Sequence, residues 1–380
     1  MEELFIIENQ KQRIINFLET NKDSFKTKEC TIGIDSAVDK IVRLVKNKSQ
    51  DNEKVFFHKM SEFGSHIIEK SGKSCGVEIA ESFTKLGGNA PIMSNALGIL
   101  NVKVNCVSPL GFPEMEPVFK ELSDNCTLYS IGNPAYTTAI EFDDGKIMLG
   151  QVEYLDKIDW NTLKDILGLD VIKRFFLQSD LIGLVNWSCM INLNNIFNGI
   201  LDEVLVNHNV NKSQIIFFDV SDFSKRSNKD ICEALELINK FNKYYKVILG
   251  LNENEAILLY KALFNKSEPT DLSKLGQTIY DYLSIDTLVV HTLTNSIAFE
   301  HSKIVEVPSL FVQEPKLSTG GGDNFNVGLC FGQLVGLNME DSLYTANATS
   351  GYYVRNAQSP SIEQLIETLE NWDDLMEIPE

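Results

Sequence analysis

The apolar positions of the chain fall into two kinds of segment. From residue 180 onward, short continuous apolar runs rich in β-branched residues occur at 181–185, 215–220, 247–251 and 287–291. Stretches at 191–206, 228–244, 254–264 and 272–283 separate them and predict helices. Continuously apolar strands alternating with helices belong in a parallel sheet covered on both faces, so the pattern predicts a doubly wound, mostly parallel α/β fold. Earlier in the chain, an amphipathic segment carrying Phe5, Ile6, Ile14, Ile15 and Leu18 predicts an N-terminal helical extension over 1–30. A short strand at 30–34 follows it, and Gly87-Gly88-Asn89-Ala90-Pro91 opens a helix that runs into a strand at 102–107. Two stretches break this rhythm. Residues 54–83 mix polar and apolar positions around Gly64, Gly72 and Gly76, and residues 127–152 alternate about the hairpin turn Asp143-Asp144-Gly145. They predict a small β lid, leaving 31–53, 84–126 and 153–380 as the main domain.

Composition narrows the function classes. The 380 residues are 43% hydrophobic, enough for a sizeable core. With 53 acidic against 34 basic side chains the net charge is −19, which disfavours nucleic acid and anionic membrane as partners and leaves small molecules. The N-terminus lacks the apolar core of a signal peptide, and no run of ~18 apolar residues suggests a membrane span. Seven scattered cysteines without a CxxC pair fit buried thiols in a reducing cytoplasm, not disulfides or a zinc site.

The candidate chemistry concentrates in Leu317-Ser318-Thr319-Gly320-Gly321-Gly322-Asp323-Asn324-Phe325. Three consecutive glycines demand a turn with unusual backbone angles, and the apolar stretch after them predicts a buried helix. A glycine turn opening a helix offers free N–H groups and the positive end of the helix dipole, a ready anion site. Asp323 beside it is either a helix cap or a general base that takes a proton from an attacking hydroxyl. The spacing is neither that of a P-loop nor that of the G-x-G-x-x-G dinucleotide fingerprint.

This segment resembles the C-terminal signature D-T-x-G-A-G-D-x-F of the ribokinase-like (PfkB) carbohydrate and nucleoside kinases. Gly87-Gly88-Asn89 with Asn95-Ala96-Leu97 is similar to the family's N-terminal double-glycine signature, and Asn252-Glu253-Asn254-Glu255 to its N-x-x-E motif. The resemblance spans about residues 31–366 and implies the inserted lid, which often pairs subunits into a homodimer. It implies a kinase moving the terminal phosphoryl of a nucleotide to a hydroxyl of a sugar or related small molecule. Asp323 is then the base and the amides of Gly320, Gly321 and Gly322 the anion hole. Asn252 and Glu255 would hold Mg²⁺ through water, although their spacing fits a helix capping box equally well. Gly87, Gly88 and Asn89 would contact the acceptor together with Asp39, six residues after Gly33, or alternatively Asp35. Thr319, His291, Asn347 and Gly351 are the candidates for the nucleotide side.

Two departures bear on detail. Leu317 and Ser318 stand where the signature has its first aspartate, which bears on any activating monovalent cation. The Asn89-Ala90-Pro91-Ile92-Met93 segment has some likeness to ADP-dependent sugar kinases, so ATP is the expected donor with ADP open. A nucleoside acceptor and a catalytically silent sugar or nucleotide sensor are the alternatives. Lys225-Arg226 after the 215–220 strand could add charge for a phosphate, and Trp187 or Tyr136 could stack on a sugar.

Overall fold

A computed structural model describes residues 2–49, 51, 53–208 and 212–377; the side chains of residues 2–9 and of Lys225 lie outside the described set. In chain order, β1 (Glu29–Gly33) leads into β2 (Ala37–Lys48), β3 (Lys54–Phe56) and β4 (Glu78–Gly87). Then come β5 (Lys103–Ser108), β6 (Cys126–Ser130), β7 (Ala135–Phe142) and β8 (Gly145–Gln151). The second half supplies β9 (Leu181–Leu184), β10 (Ile215–Asp219), β11 (Lys246–Asn252), β12 (Thr287–His291), β13 (Asn295–Glu300) and β14 (Lys303–Pro308).

Nine of these strands form one sheet in the order β14-β13-β12-β11-β10-β9-β1-β5-β6. Every neighbouring pair from β12 to β6 is parallel, and only the β12-β13-β14 edge is antiparallel. Both faces are buried, as a continuously apolar strand requires. Along β10, Ile216 and Phe218 join one core with the helices Asn228–Phe241 and Glu253–Phe264, whereas Ile215 and Phe217 join the other. That second core contains the helices Asn89–Ile99, Gly321–Val335 and Met339–Asn356. The N-terminal helix Glu2–Asn21 packs into it through Ile14, Ile15 and Leu18 and is pinned by Arg13 and Gln10 donating to the Asp341 carboxylate. The segment expected as an extension is therefore part of that face.

A second, five-stranded sheet runs in the order β3-β2-β7-β8, with β4 also paired to β2. Its own core is Val42, Leu44, Phe57, Ile140 and Phe142. Three boundaries differ from the sequence reading. β2 is the central strand of this sheet and not part of the main domain, β6 belongs to the large sheet, and 54–83 contains a helix, Met60–Glu69. Among the described residues no helix is long and apolar enough to cross a membrane, and none of the seven cysteines is in a disulfide.

Candidate active site

The carboxyl ends of β1, β10, β11 and β12 converge near the start of the Gly321–Val335 helix, the edge where open parallel sheets bind ligands. On the β1 side, Asp35 is only 1% exposed and accepts hydrogen bonds from the Asn89 and Ala90 N–H groups, both at 2.9 Å, and from Asn186 Nδ2 at 2.6 Å. It serves as cap for the Asn89–Ile99 helix, whose own N-cap residue, Gly88, has no side chain. Gly88 is required there: its φ is +86°, and a Cβ would lie 2.5 Å from Ser36 Cα. Burial pushes Asp35 up to about 6 despite hydrogen bonds that favour its charged form. Asp39, on β2, lies opposite Lys85 of β4 in the strand register and beneath the Gly87 backbone. Burial raises its pKa, while Lys85, Thr137 and Lys146 pull it down. The turn 87–89 thus wraps two acids, one spent on a cap and one not.

On the opposite wall, Gly320 takes a left-handed conformation at φ +98° as N-cap of the Gly321–Val335 helix. A Cβ there would collide with the Tyr353 hydroxyl, which donates to the Thr319 carbonyl at 2.9 Å. The Gly321 N–H donates to the Ser318 carbonyl at 3.1 Å, so one of the three amides expected in the anion hole is used by the turn itself. Gly322 and Asp323 head the helix, where N–H groups have no partner within it. Asp323 is half-buried; desolvation and the charges of Asp219, Asp35 and Glu255 raise its pKa well above the carboxylate range.

Asp219, at the end of β10, is the residue that sequence reasoning missed. Its Oδ1 accepts from the Ser221 N–H (2.8 Å) and hydroxyl (3.0 Å), and its Oδ2 from Asn326 Nδ2 at 2.7 Å. Asn89 Nδ2 donates to Ser221 Oγ at 3.3 Å. One carboxylate therefore ties β10, the double-glycine turn and the Gly321–Val335 helix together. Its signal was position: an acid closing an apolar strand at the ligand-binding edge. Arg226 is in fact committed, 4.2 Å over the Trp187 ring and donating to the Trp187 and Met190 carbonyls. Trp187 is fully buried and its indole N–H donates to Asn194, so it is core and not a sugar platform.

Asn252 and Glu255 form a complete capping box: Glu255 Oε2 accepts from the Asn252 N–H at 2.8 Å and Asn252 Oδ1 from the Glu255 N–H at 2.9 Å. Burial, then the charges of Asp219 and Asp222, push Glu255 up to about 8. The acids repel one another and, among the described residues, Asn326 Oδ1 is buried without a partner, so a positive charge placed among them would be stabilised. Among the described residues no three His, Cys, Asp or Glu side chains are grouped so as to hold a metal ion.

Beside the glycine turn opens a cleft of about 370 Å³, lined by His291, Leu310, Gly322, Phe325, Asn347 and Gly351 among others. His291 stacks on Phe325 with ring centroids 4.5 Å apart, and burial lowers it to about 4, so the ring is neutral. Asn347 is a tie and not a free recognition group: its Nδ2 donates to Ser296 Oγ at 2.8 Å and its Oδ1 accepts from Ser309 Oγ at 3.1 Å. Gly351 lets its helix close on Leu310. Thr319 stands outside the cleft wall, where its hydroxyl accepts from Lys146 of β8.

A model of the prokaryotic ketohexokinase family matches residues 8–372. A ketohexokinase of Haloferax volcanii is 24% identical over 335 residues, covering 88% of this chain and 88% of that protein. Arabidopsis thaliana ribokinase, solved with ribose and ATP, superposes with a TM-score of 0.61 at 13% identity over 90% of this chain and 98% of that one. The nucleoside kinase of Methanocaldococcus jannaschii, an archaeal member of the ribokinase family, gives 0.55 at 14% identity, again over 90% and 98%. At these identities the structural likeness establishes the fold, which is ribokinase-like.

Proposed function

The chain belongs to the prokaryotic ketohexokinase family, and from that premise we propose that it transfers the terminal phosphoryl group of MgATP to a hydroxyl of a ketohexose. Membership makes it a carbohydrate kinase, a phosphotransferase with an alcohol group as acceptor. The observation that carries the finer reading is the placement of Asp323, at a helix start beside the glycine turn, with a pKa raised by burial and by three neighbouring acids. A carboxylate raised toward the operating pH is a better proton acceptor than an exposed one, which is what a general base needs.

In this reading the acceptor lies against Asp39 and the 87–89 turn, where the missing side chains of Gly87 and Gly88 let hydroxyls reach the backbone. Asp35 acts as the cap that holds Asn89 in place. The acceptor oxygen attacks phosphorus as Asp323 takes its proton. The Gly320 and Gly322 amides and the helix dipole oppose the charge on the phosphoryl oxygens. Glu255, with Asn252, would hold Mg²⁺ through water, and the ion would supply charge neutralisation on the nucleotide phosphates. The apolar cleft at His291 and Phe325 suits a flat base. A relative described as a ribokinase II of E. coli, solved with ATP and Mg²⁺, supports that donor and metal. The small sheet is read as the lid that excludes water, and its exposed Ile79, Phe83, Met148 and Leu149 support pairing with a second copy.

The test is a coupled assay of the purified chain against D-fructose, other hexoses, ribose and nucleosides, each with MgATP and MgADP. D-Fructose with MgATP is expected to give the highest kcat/KM. Turnover of nucleosides alone, or of no sugar, would overturn the reading.

A further inference from the structure

The small sheet reaches the glycine turn through a cation that the proposed mechanism has not used. Lys146 is exposed at the start of β8, yet its ammonium donates to the hydroxyl of Thr319, 173 residues away and immediately before Gly320. The same ammonium acts electrostatically on Asp39 and on Lys85. It therefore stands between the acid on the acceptor side and the turn on the phosphoryl side. Lys85 lies opposite Asp39 in the β2–β4 register and Lys146 opposite Glu141 in the β7–β8 register, so two cations stand against two acids on this part of the small sheet.

The surroundings are acidic. Asp35, Asp219, Glu255 and Asp323 raise or share one another's burden of negative charge, and Arg226 is held on the Trp187 ring. A phosphoryl group crossing from nucleotide to acceptor adds more negative charge to this place. An exposed lysine–threonine hydrogen bond contributes little to folding, so stability does not explain a stem stretched from the small sheet to the glycine turn. A flexible stem with a compact charge at its end suits a phosphate.

We propose that Lys146 is a catalytic cation carried by the small sheet, its ammonium contacting the phosphoryl group during transfer. This rests on the kinase reading above. In the step, the acceptor O–H bond breaks with its proton going to Asp323. The acceptor O–P bond forms as the bond from phosphorus to the leaving oxygen of ADP breaks. Lys146 takes no part in the proton transfer.

The test uses the full chain with D-fructose and MgATP and the variants Lys146→Met and Lys146→Arg. Lys146→Met is expected to lower kcat by about 10²- to 10³-fold with KM for D-fructose within a few-fold, a scale comparable to other cations supplied to phosphoryl transfer. Lys146→Arg should recover at least about tenfold of that loss, since it keeps the charge. Calorimetry adds a readout independent of turnover. MgADP with fluoroaluminate and D-fructose, which imitates the planar phosphoryl group, should bind Lys146→Met at least about tenfold more weakly, while MgADP alone binds both forms equally. Wild-type protein that phosphorylates no sugar would overturn the kinase reading itself. Wild-type turnover matched by Lys146→Met, or equal weakening of MgADP alone and of the fluoroaluminate complex, would overturn the role of Lys146.

Discussion

Glu255→Gln separates the structural work of this residue from its electrostatic work. Gln keeps a carbonyl oxygen where the carboxylate accepts the Asn252 N–H, so the capping box survives. Only the charge goes. Glu255 is 9% exposed and pushed up to about 8 from an ordinary 4.5. Its folded state holds the proton more tightly than the unfolded state does, so above pH 4.5 the unfolded chain loses that proton first. Stability is therefore full below about pH 4.5, falls as pH rises, and levels off above about pH 8. At 1.36 kcal/mol per pH unit, the 2.5 units from pH 4.5 to 7 amount to about 3 kcal/mol. Part of this is shared with Asp219, whose own raised pKa relaxes when its neighbour is neutral. Glu255→Gln is accordingly expected to be more stable than wild type by about 1–3 kcal/mol at pH 7, somewhat more at pH 8, and equal near pH 4.5. Urea unfolding at pH 5, 7 and 8 reads this directly, and under the proposed function the same variant should lose most of its turnover, because the charge that would face Mg²⁺ is gone. A variant less stable than wild type at pH 8, or a difference that does not change between pH 5 and pH 8, would refute the electrostatic account.

Three further outcomes are expected. Asp323→Asn should lower kcat by about 10²- to 10⁴-fold while MgATP affinity, measured by calorimetry, stays within a few-fold; near-normal turnover would remove Asp323 from the role of base. Gly88→Ala places a Cβ 2.5 Å from Ser36 Cα at a φ of +86°. It should cost about 2 kcal/mol or more in denaturant unfolding, and a loss under about 0.5 would mean the turn can relax. Because a chain of net charge −19 repels nucleotide at long range, chelating Mg²⁺ should weaken ATP binding by at least about tenfold; equal binding with and without the metal would count against Glu255 and Asn252 as its holders.

What could be read from the sequence was whatever short stretches of backbone decide locally. The runs at 215–220, 247–251 and 287–291 are apolar at successive positions because both faces of their sheet are covered, and that alone implied the doubly wound architecture. The glycines at 88 and 320 stand where φ is positive, and Asn252 sits three residues before Glu255 because a helix start needs that reciprocal cap. These demands act within one turn of chain, so they leave marks in the order of residues. The segment Ala37–Lys48, which mixes apolar and charged positions, is placed by its sequence order in the main domain, and only its pairing with β4 and β7 assigns it to the small sheet. Asp219 is an ordinary strand-end acid until Asn326, 107 residues later, and the Asn89–Ser221 contact close around it. Lys146 is a surface lysine until it is seen against Thr319, and Arg226 a free charge until it is seen on Trp187. In each case the role is set by a neighbour distant in sequence. Burial and charge–charge distance belong to the folded chain, and it is these that make Glu255 titrate near 8 and give the acids their chemistry.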